Sequence, residues 1–116
     1  MVRTAYSQAE FEKFFPEGVA SYFAPSQVLV DDEEGEIKGA VVLFDSCHDV
    51  LYVDHLCTTS KSSARRLCMG IREYAKTGDY SFVYCVSSSL ALREFLEAQG
   101  AYITEDVTYR AAIAVT

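Results

Sequence analysis

Residues Thr58–Leu67, TTSKSSARRL, join an apolar run, DVLYVDHLC (Asp49–Cys57), to a stretch with helical spacing. Small polar residues just ahead of a helix are how chains build anion-holding turns, because the first N–H groups of a helix find no acceptor within it. Glycine, the residue that most often lets a backbone close on a phosphate, is missing from this turn. The elements on either side decide which architecture the turn belongs to.

Downstream, Ala64, Leu67, Cys68, Ile71, Tyr74 and Ala75 recur at helical spacing and predict an amphipathic helix of about four turns. Its outer face carries Arg65, Arg66, Met69, Arg72, Glu73 and Lys76, and Gly78 stops it. YSFVYCVS (Tyr80–Ser87) is nearly continuous and apolar, as expected inside a sheet. SSLALREFLEAQ (Ser88–Gln99) predicts a second helix with Leu92, Phe95 and Leu96 inward, ended by Gly100. AYITED (Ala101–Asp106) and YRAAIAV (Tyr109–Val115) read as closing strands. Upstream, RTAY (Arg3–Tyr6) reads as a short strand. SQAEFEKFF (Ser7–Phe15) reads as a helix opened by Ser7, with Glu10 completing a capping box. Pro16 and Gly18 break it, and VASYF (Val19–Phe23) adds a helical turn. QVLVDD (Gln27–Asp32) and IKGAVVLFD (Ile37–Asp45) form a hairpin about Gly35. The sum is one α+β domain over residues 1–116, a mixed sheet with helices packed on it.

Composition narrows the function. Half the 116 residues are hydrophobic, and no apolar run approaches the roughly 20 residues of a membrane helix. The N-terminus lacks a basic, apolar leader, so a cytoplasmic protein is expected. Cys47, Cys57, Cys68 and Cys85 form no C-x-x-C pair and read as reduced, mostly buried thiols. The net charge of −7 disfavours general nucleic-acid binding. Half of the ten basic side chains nonetheless fall within residues 57–76, a local patch suited to a small anion or an acidic partner.

The element order, with a helix after the fourth strand and another after the fifth, resembles the GNAT acetyltransferases. The resemblance implies a mostly antiparallel sheet of about six or seven strands with helices on both faces. It also implies acetyl-CoA as the cofactor, without a metal. In that family an Arg/Gln-x-x-Gly-x-Gly/Ala loop closes on the pyrophosphate. Ending the motif on Ala64 places Thr59 at the Arg/Gln position and Ser62 at the first glycine, and assigns Thr58, Thr59, Ser60, Lys61, Ser62, Ser63, Ala64 and Arg65 to the cofactor. The second family motif, Asn-x-x-Ala-x-x-Phe-Tyr-x-x-x-Gly-Phe, falls on SLALREFLEAQGA (Ser89–Ala101). Phe95 and Gly100 are kept there, but Leu96 stands where the proton-donating tyrosine belongs. In GNAT enzymes the fourth and fifth strands also splay apart and admit the pantetheine arm. Loss of catalytic residues on a kept scaffold resembles the small GNAT-like proteins encoded among virion genes of short-tailed phages. That resemblance implies a virion component or assembly helper, with phage structural proteins as partners and the host cytoplasm or the particle as its place.

Other residues admit chemistry of their own. Asp54 and His55 are the candidate general bases, since His titrates near neutrality. The alternative makes His55 a half-buried strand residue on the face shared with Val53 and Cys57. Cys47, His48, His55 and Cys57 lack the two-to-four-residue spacing of zinc sites, and a Cys57 nucleophile lacks support, so no metal site is expected. Arg65 and Arg72 lie two turns apart on one helix face, beside Lys61, and suit CoA phosphates, an acidic partner or plain solvent. DDEEGE (Asp31–Glu36) reads as a soluble hairpin turn more than as a DNA mimic. Tyr102 and Tyr109 lie near the expected acceptor side, and either could replace the missing acid, the alternative being packing residues with a solvated hydroxyl. The expected function is a GNAT-fold phage protein with a weakened or lost acetyl-transfer site. The alternatives are an active acetyl-CoA-dependent N-acetyltransferase and a small acidic inhibitor of a host enzyme.

Overall fold

The computed structural model describes residues 1–45, 49–87, 94, 97, 98, 100, 102–104 and 109–114. Among the described residues, seven strands form one sheet: β1 (Val2–Thr4), β2 (Val28–Glu33), β3 (Glu36–Phe44), β4 (Val50–Thr58), β5 (Phe82–Ser87), β6 (Tyr102–Thr104) and β7 (Tyr109–Ala114), in the order β1-β2-β3-β4-β5-β7-β6. Every neighbouring pair is antiparallel except β4 and β5, which are parallel and joined by helix α1 (Lys61–Thr77). A parallel pair needs a crossover of this kind. The predicted helix at Ser88–Gln99 falls largely outside the described residues.

Two apolar layers flank the sheet. On one face, Leu67, Ile71 and Ala75 of α1 pack on Leu29, Val41, Leu43, Leu51 and Val83. On the other, Phe11, Phe15 and Ala20 pack on Val28, Val30, Ala40 and Val42. Gly39 sits where α1 comes closest to β3. A Cβ there would stand 2.8 Å from Ser63 Oγ and 2.9 Å from both the Cys57 carbonyl and Leu67 Cδ1. The hairpin between β2 and β3 turns at Glu34 and Gly35, both with positive φ (55° and 89°), the backbone a two-residue type I′ turn requires.

The segment Ser7–Phe15 departs from expectation. It forms 3-10 turns at Gln8–Glu10 and Glu12–Phe14, and Ser7 makes no side-chain cap. Glu10 is held elsewhere. Its carboxylate takes the Tyr6 N–H at 2.6 Å and both terminal nitrogens of Arg3, which also binds Asp32. The Arg3 hydrogen bonds outweigh the cost of burial and, with the Tyr6 N–H, lower the Glu10 pKa from 4.5 to about 2. A carboxylate depressed on folding stabilises the native state above its unfolded pKa and loses that contribution as pH falls towards the folded one. About 2 kcal/mol of stability, after solvent screening, should therefore disappear between pH 4.5 and 2. Urea unfolding across that range checks this, and Glu10→Gln should flatten the dependence.

The predicted outer face of α1 is also corrected. Arg66 turns towards the sheet, because Asp31 on β2 is fully buried beneath it. Arg66 Nε donates to both Asp31 oxygens at 3.0 Å, Nη2 stands 2.9 Å from Oδ2, and Nε lies 2.7 Å from Glu33. Burial pushes the Asp31 carboxyl up, but the guanidinium, Ser63 and Glu33 more than offset it, and the net shift is downward. Ser63 Oγ lies buried beside this pair without a hydrogen bond of ordinary geometry. The helix thus buries Ser63, Leu67, Ile71 and Ala75, while Tyr74, expected inward, is 38% exposed. Asp31, Asp32 and Glu33 are all ion-paired within the fold, so half of DDEEGE serves tertiary structure, not solubility alone.

Candidate functional site

β4 and β5 pair only over Val50–Val53 and Phe82–Cys85. Beyond Val53, β4 continues to Thr58 without a partner on β5, while Val86 and Ser87 keep only the pairing with β7 that runs the whole length of β5. The two parallel strands part, and Asp54–Thr58 forms one wall of the opening.

The same stretch of β4 carries a bulge. Val42 lies opposite Asp54 and Ala40 opposite Cys57, so Val41 alone faces both His55 and Leu56. His55 absorbs the extra residue with φ of 47°, in the left-handed region that non-glycine residues seldom enter. A bulge resets the alternation of side chains. Val53 and Leu56 consequently pack on the α1 face, whereas His55 crosses to the face of Phe15 and Phe23, with ring centroids 5.6 Å away. The expectation that His55 shares a face with Val53 is overturned for this reason. Asp54 and His55, which strict alternation would separate, become neighbours. The Asp54 carboxylate accepts the His55 N–H at 3.0 Å, and its other oxygen lies 3.6 Å from Nε2. Both side chains are roughly half exposed, 52% and 44%.

At the point of divergence the sheet holds an open depression of about 350 Å³ lined by Phe44, Tyr52, Val53, Asp54 and Tyr84. Phe44 is opposite Tyr52 on β3 and β4, and Tyr52 is opposite Tyr84 on β4 and β5, so three aromatic residues form a row across the sheet. Tyr52 and Tyr84 meet edge to face, with centroids 5.5 Å apart. This row escaped the sequence reading. The available signal was a polar-tipped aromatic in the middle of each of two strands.

The turn from β4 to α1 is two residues long, Thr59 and Ser60. Thr58 ends β4, Thr59 spends both its N–H and its hydroxyl on the Lys38 carbonyl (3.0 and 2.9 Å), and α1 starts at Lys61. Ser60 is the N-cap: its Oγ accepts the Ser63 N–H at 3.1 Å, and its carbonyl accepts the Ala64 N–H. No residue from 58 to 65 has a positive φ, so this backbone has no conformational need of glycine. The N–H groups of Lys61 and Ser62 have no acceptor among the described residues. Lys61, Ser62 and Arg65 are exposed around them, Ala64 is half-buried and Ser63 buried. The helix N-terminus, two N–H groups and two cations can hold an anion, with fewer donors than an uncapped turn would offer. Arg72 is exposed two turns away, in the direction of the helix C-terminus.

Of the remaining candidates, Tyr109 lies opposite Ser87, where β5 has left β4. Burial pushes the Cys57 thiol pKa up, which works against a thiolate nucleophile. Cys47 and His48 lie outside the described residues, and no group of three or more metal-ligating side chains occurs among the described ones.

No known protein-family pattern and no curated protein matches the chain. Solved structures do. N-acetylglutamate synthase from Neisseria gonorrhoeae, complexed with coenzyme A and N-acetyl-glutamate, superposes with a TM-score of 0.80 at 12% identity, covering 100% of this chain and 35% of the synthase. Rv2747 from Mycobacterium tuberculosis, in complex with CoA, gives 0.80 at 12% identity over 100% of this chain and 99% of that one. IAA acetyltransferase from Bacillus cereus gives 0.76 at 14% identity, with 98% of both chains covered. The fold is GNAT-like.

Proposed function

We propose that this chain is a GNAT-fold protein that binds acyl-CoA weakly and has a weakened acetyl-transfer site. The observation that carries the reading is the coincidence, on one strand, of the β4–β5 opening, the His55 bulge and a helix N-terminus with two N–H donors. The opening suits a pantetheine arm, and Lys61, Ser62 and Arg65 suit the diphosphate. Bound acyl-CoA supplies an activated thioester to an amine. His55 receives the proton the amine loses, directly or through one water, with the Asp54 carboxylate 3.6 Å from its Nε2. Tyr109 on β7, opposite Ser87, would give a proton to the departing sulfur. One N–C bond would form as one C–S bond breaks, with no covalent enzyme intermediate, and positioning would supply much of the acceleration.

Calorimetry with acetyl-CoA and CoA tests the reading. A dissociation constant of about 0.1 mM is expected, lost in Lys61→Ala/Arg65→Ala. Heat unchanged by the double substitution overturns the assignment of the cradle. Absence of binding by the wild type overturns cofactor use altogether. A place in a phage particle rests on the sequence resemblance alone, and mass spectrometry of purified particles that finds no trace of the chain removes it.

A further inference from the structure

We infer that the outer face of α1 is a docking surface for an acidic amphipathic helix of a partner protein. Lys61, Arg65, Met69, Arg72 and Lys76 are all exposed, and at 3.6 residues per turn they fall within about 80° of one another around the helix. They form one row about 22 Å long, at a rise of 1.5 Å per residue. The row lies on the side of α1 away from buried Leu67 and Ile71. Arg3, Lys38 and Arg66 all pair with acids within the chain. In the row, Lys61, Arg65 and Arg72 have no acid within ion-pair distance among the described residues, and Lys76 reaches only Glu73, at 3.8 Å with both side chains exposed. A chain of net charge −7 thus carries a row of cations that its own acids leave uncovered.

The row selects among occupants. Two copies of the chain placed face to face through it would bring like charges together. Nucleic acid would meet an overall charge of −7 and a row without an aromatic ring to stack on. A diphosphate seated at the start of α1 leaves Arg72 and Lys76 about 16 and 22 Å from Lys61 along the axis, beyond its reach. A helix lying along α1 fits. Its side chains recur at the same three- and four-residue spacing, so four carboxylates on one face can meet the four cations. Met69, 69% exposed at the middle of the row, is the apolar contact, an unbranched side chain that adapts to a facing aliphatic group. Charge would steer such a partner and set its register, while the central apolar pair excludes water. None of this depends on acyl-CoA binding, and the test omits the cofactor.

Fluorescence anisotropy with a labelled synthetic helix tests the inference. The peptide is about five turns long and capped at both ends, with four glutamates at the spacing of the cations, one leucine at its centre, and alanine and glutamine elsewhere. In about 20 mM salt it should bind with a dissociation constant on the order of 0.1 mM or tighter. The same peptide with glutamine for glutamate should bind at least about tenfold more weakly. Arg72→Gln/Lys76→Gln should weaken the acidic peptide about tenfold and leave the melting temperature of the protein unchanged. Met69→Ala and a leucine-to-alanine change in the peptide should each weaken binding a few-fold. The two together should cost no more than either alone, because they remove one shared contact. Three outcomes overturn the inference: equal binding of the acidic and neutral peptides, binding that ignores Arg72→Gln/Lys76→Gln, or additive effects of the Met69 and leucine changes, which would reduce the row to unspecific ion attraction. An oligothymidine strand that binds more tightly than the peptide assigns the face to nucleic acid and overturns it equally. So does sedimentation that shows copies of the chain associating through a contact broken by Arg72→Gln/Lys76→Gln. If the peptide binds while calorimetry finds no CoA binding, the docking surface stands and the acyl-CoA reading falls.

Discussion

Arg66→Met should lower the melting temperature by about 10 °C at neutral pH and reverse the pH dependence that Asp31 imposes. In the native protein the Asp31 carboxyl, though fully buried, sits below its ordinary pKa because Arg66 and its neighbours outweigh the burial. Its contribution is thus present above the unfolded pKa and fades as pH falls. Without the guanidinium, burial, the largest influence on this carboxyl, should outweigh Ser63, Glu33 and the N-terminal ammonium 4.0 Å from Oδ1, and the carboxyl should rise above its unfolded value. The sign then inverts: the variant should be most stable in acid, where Asp31 is protonated in both states, and should weaken as pH rises through the unfolded pKa and beyond. Thermal melts from pH 4 to 8 measure this. Adding Asp31→Asn should recover much of the lost stability at neutral pH, because a neutral buried amide no longer needs a cation. A variant as stable as the wild type at pH 7 would show that Arg66 is no more than a surface cation.

That residue also marks the limit of what the sequence discloses. The strands and α1 were legible, because the apolar runs Val28–Val30 and Ala40–Phe44 and the helical spacing from Ala64 to Ala75 report the core directly. Which arginine of the pair Arg65–Arg66 turns inward was not, since both lie at the stripe's edge and the choice belongs to Asp31 on a distant strand. Ser7–Phe15 failed for a related reason. Its capping-box spacing was present, but Arg3 claims Glu10, and Phe11 and Phe15 are drawn into the sheet's second layer. At the candidate site, the link from β4 to α1 was legible as a short polar turn without glycine. The bulge was hidden, because one extra residue in DVLYVDHLC leaves no mark in its pattern while moving His55 to the opposite face. The parting of β4 from β5 was equally hidden, being a property of two strands some thirty residues apart.

On the acyl-CoA reading proposed above, the cap at Ser60 yields the most direct test of why the cradle would be weak. Its Oγ takes the Ser63 N–H that would otherwise point towards an anion at the start of α1. Ser60→Gly removes this competitor. Glycine is nearly as good an N-cap as serine, so helix stability should fall by only a few tenths of a kcal/mol. The freed N–H, joining those of Lys61 and Ser62, gives a third donor to a charged phosphate, a hydrogen bond of about 1.5–3 kcal/mol. Acetyl-CoA and CoA should therefore bind about 10–100 times more tightly to the variant in calorimetry, and Ser62→Gly should add less, since it frees no N–H. The gain should be similar for both ligands, because both carry the same diphosphate. An unchanged affinity in Ser60→Gly would mean that the diphosphate does not reach the start of α1, and that what limits binding lies within the strand opening itself.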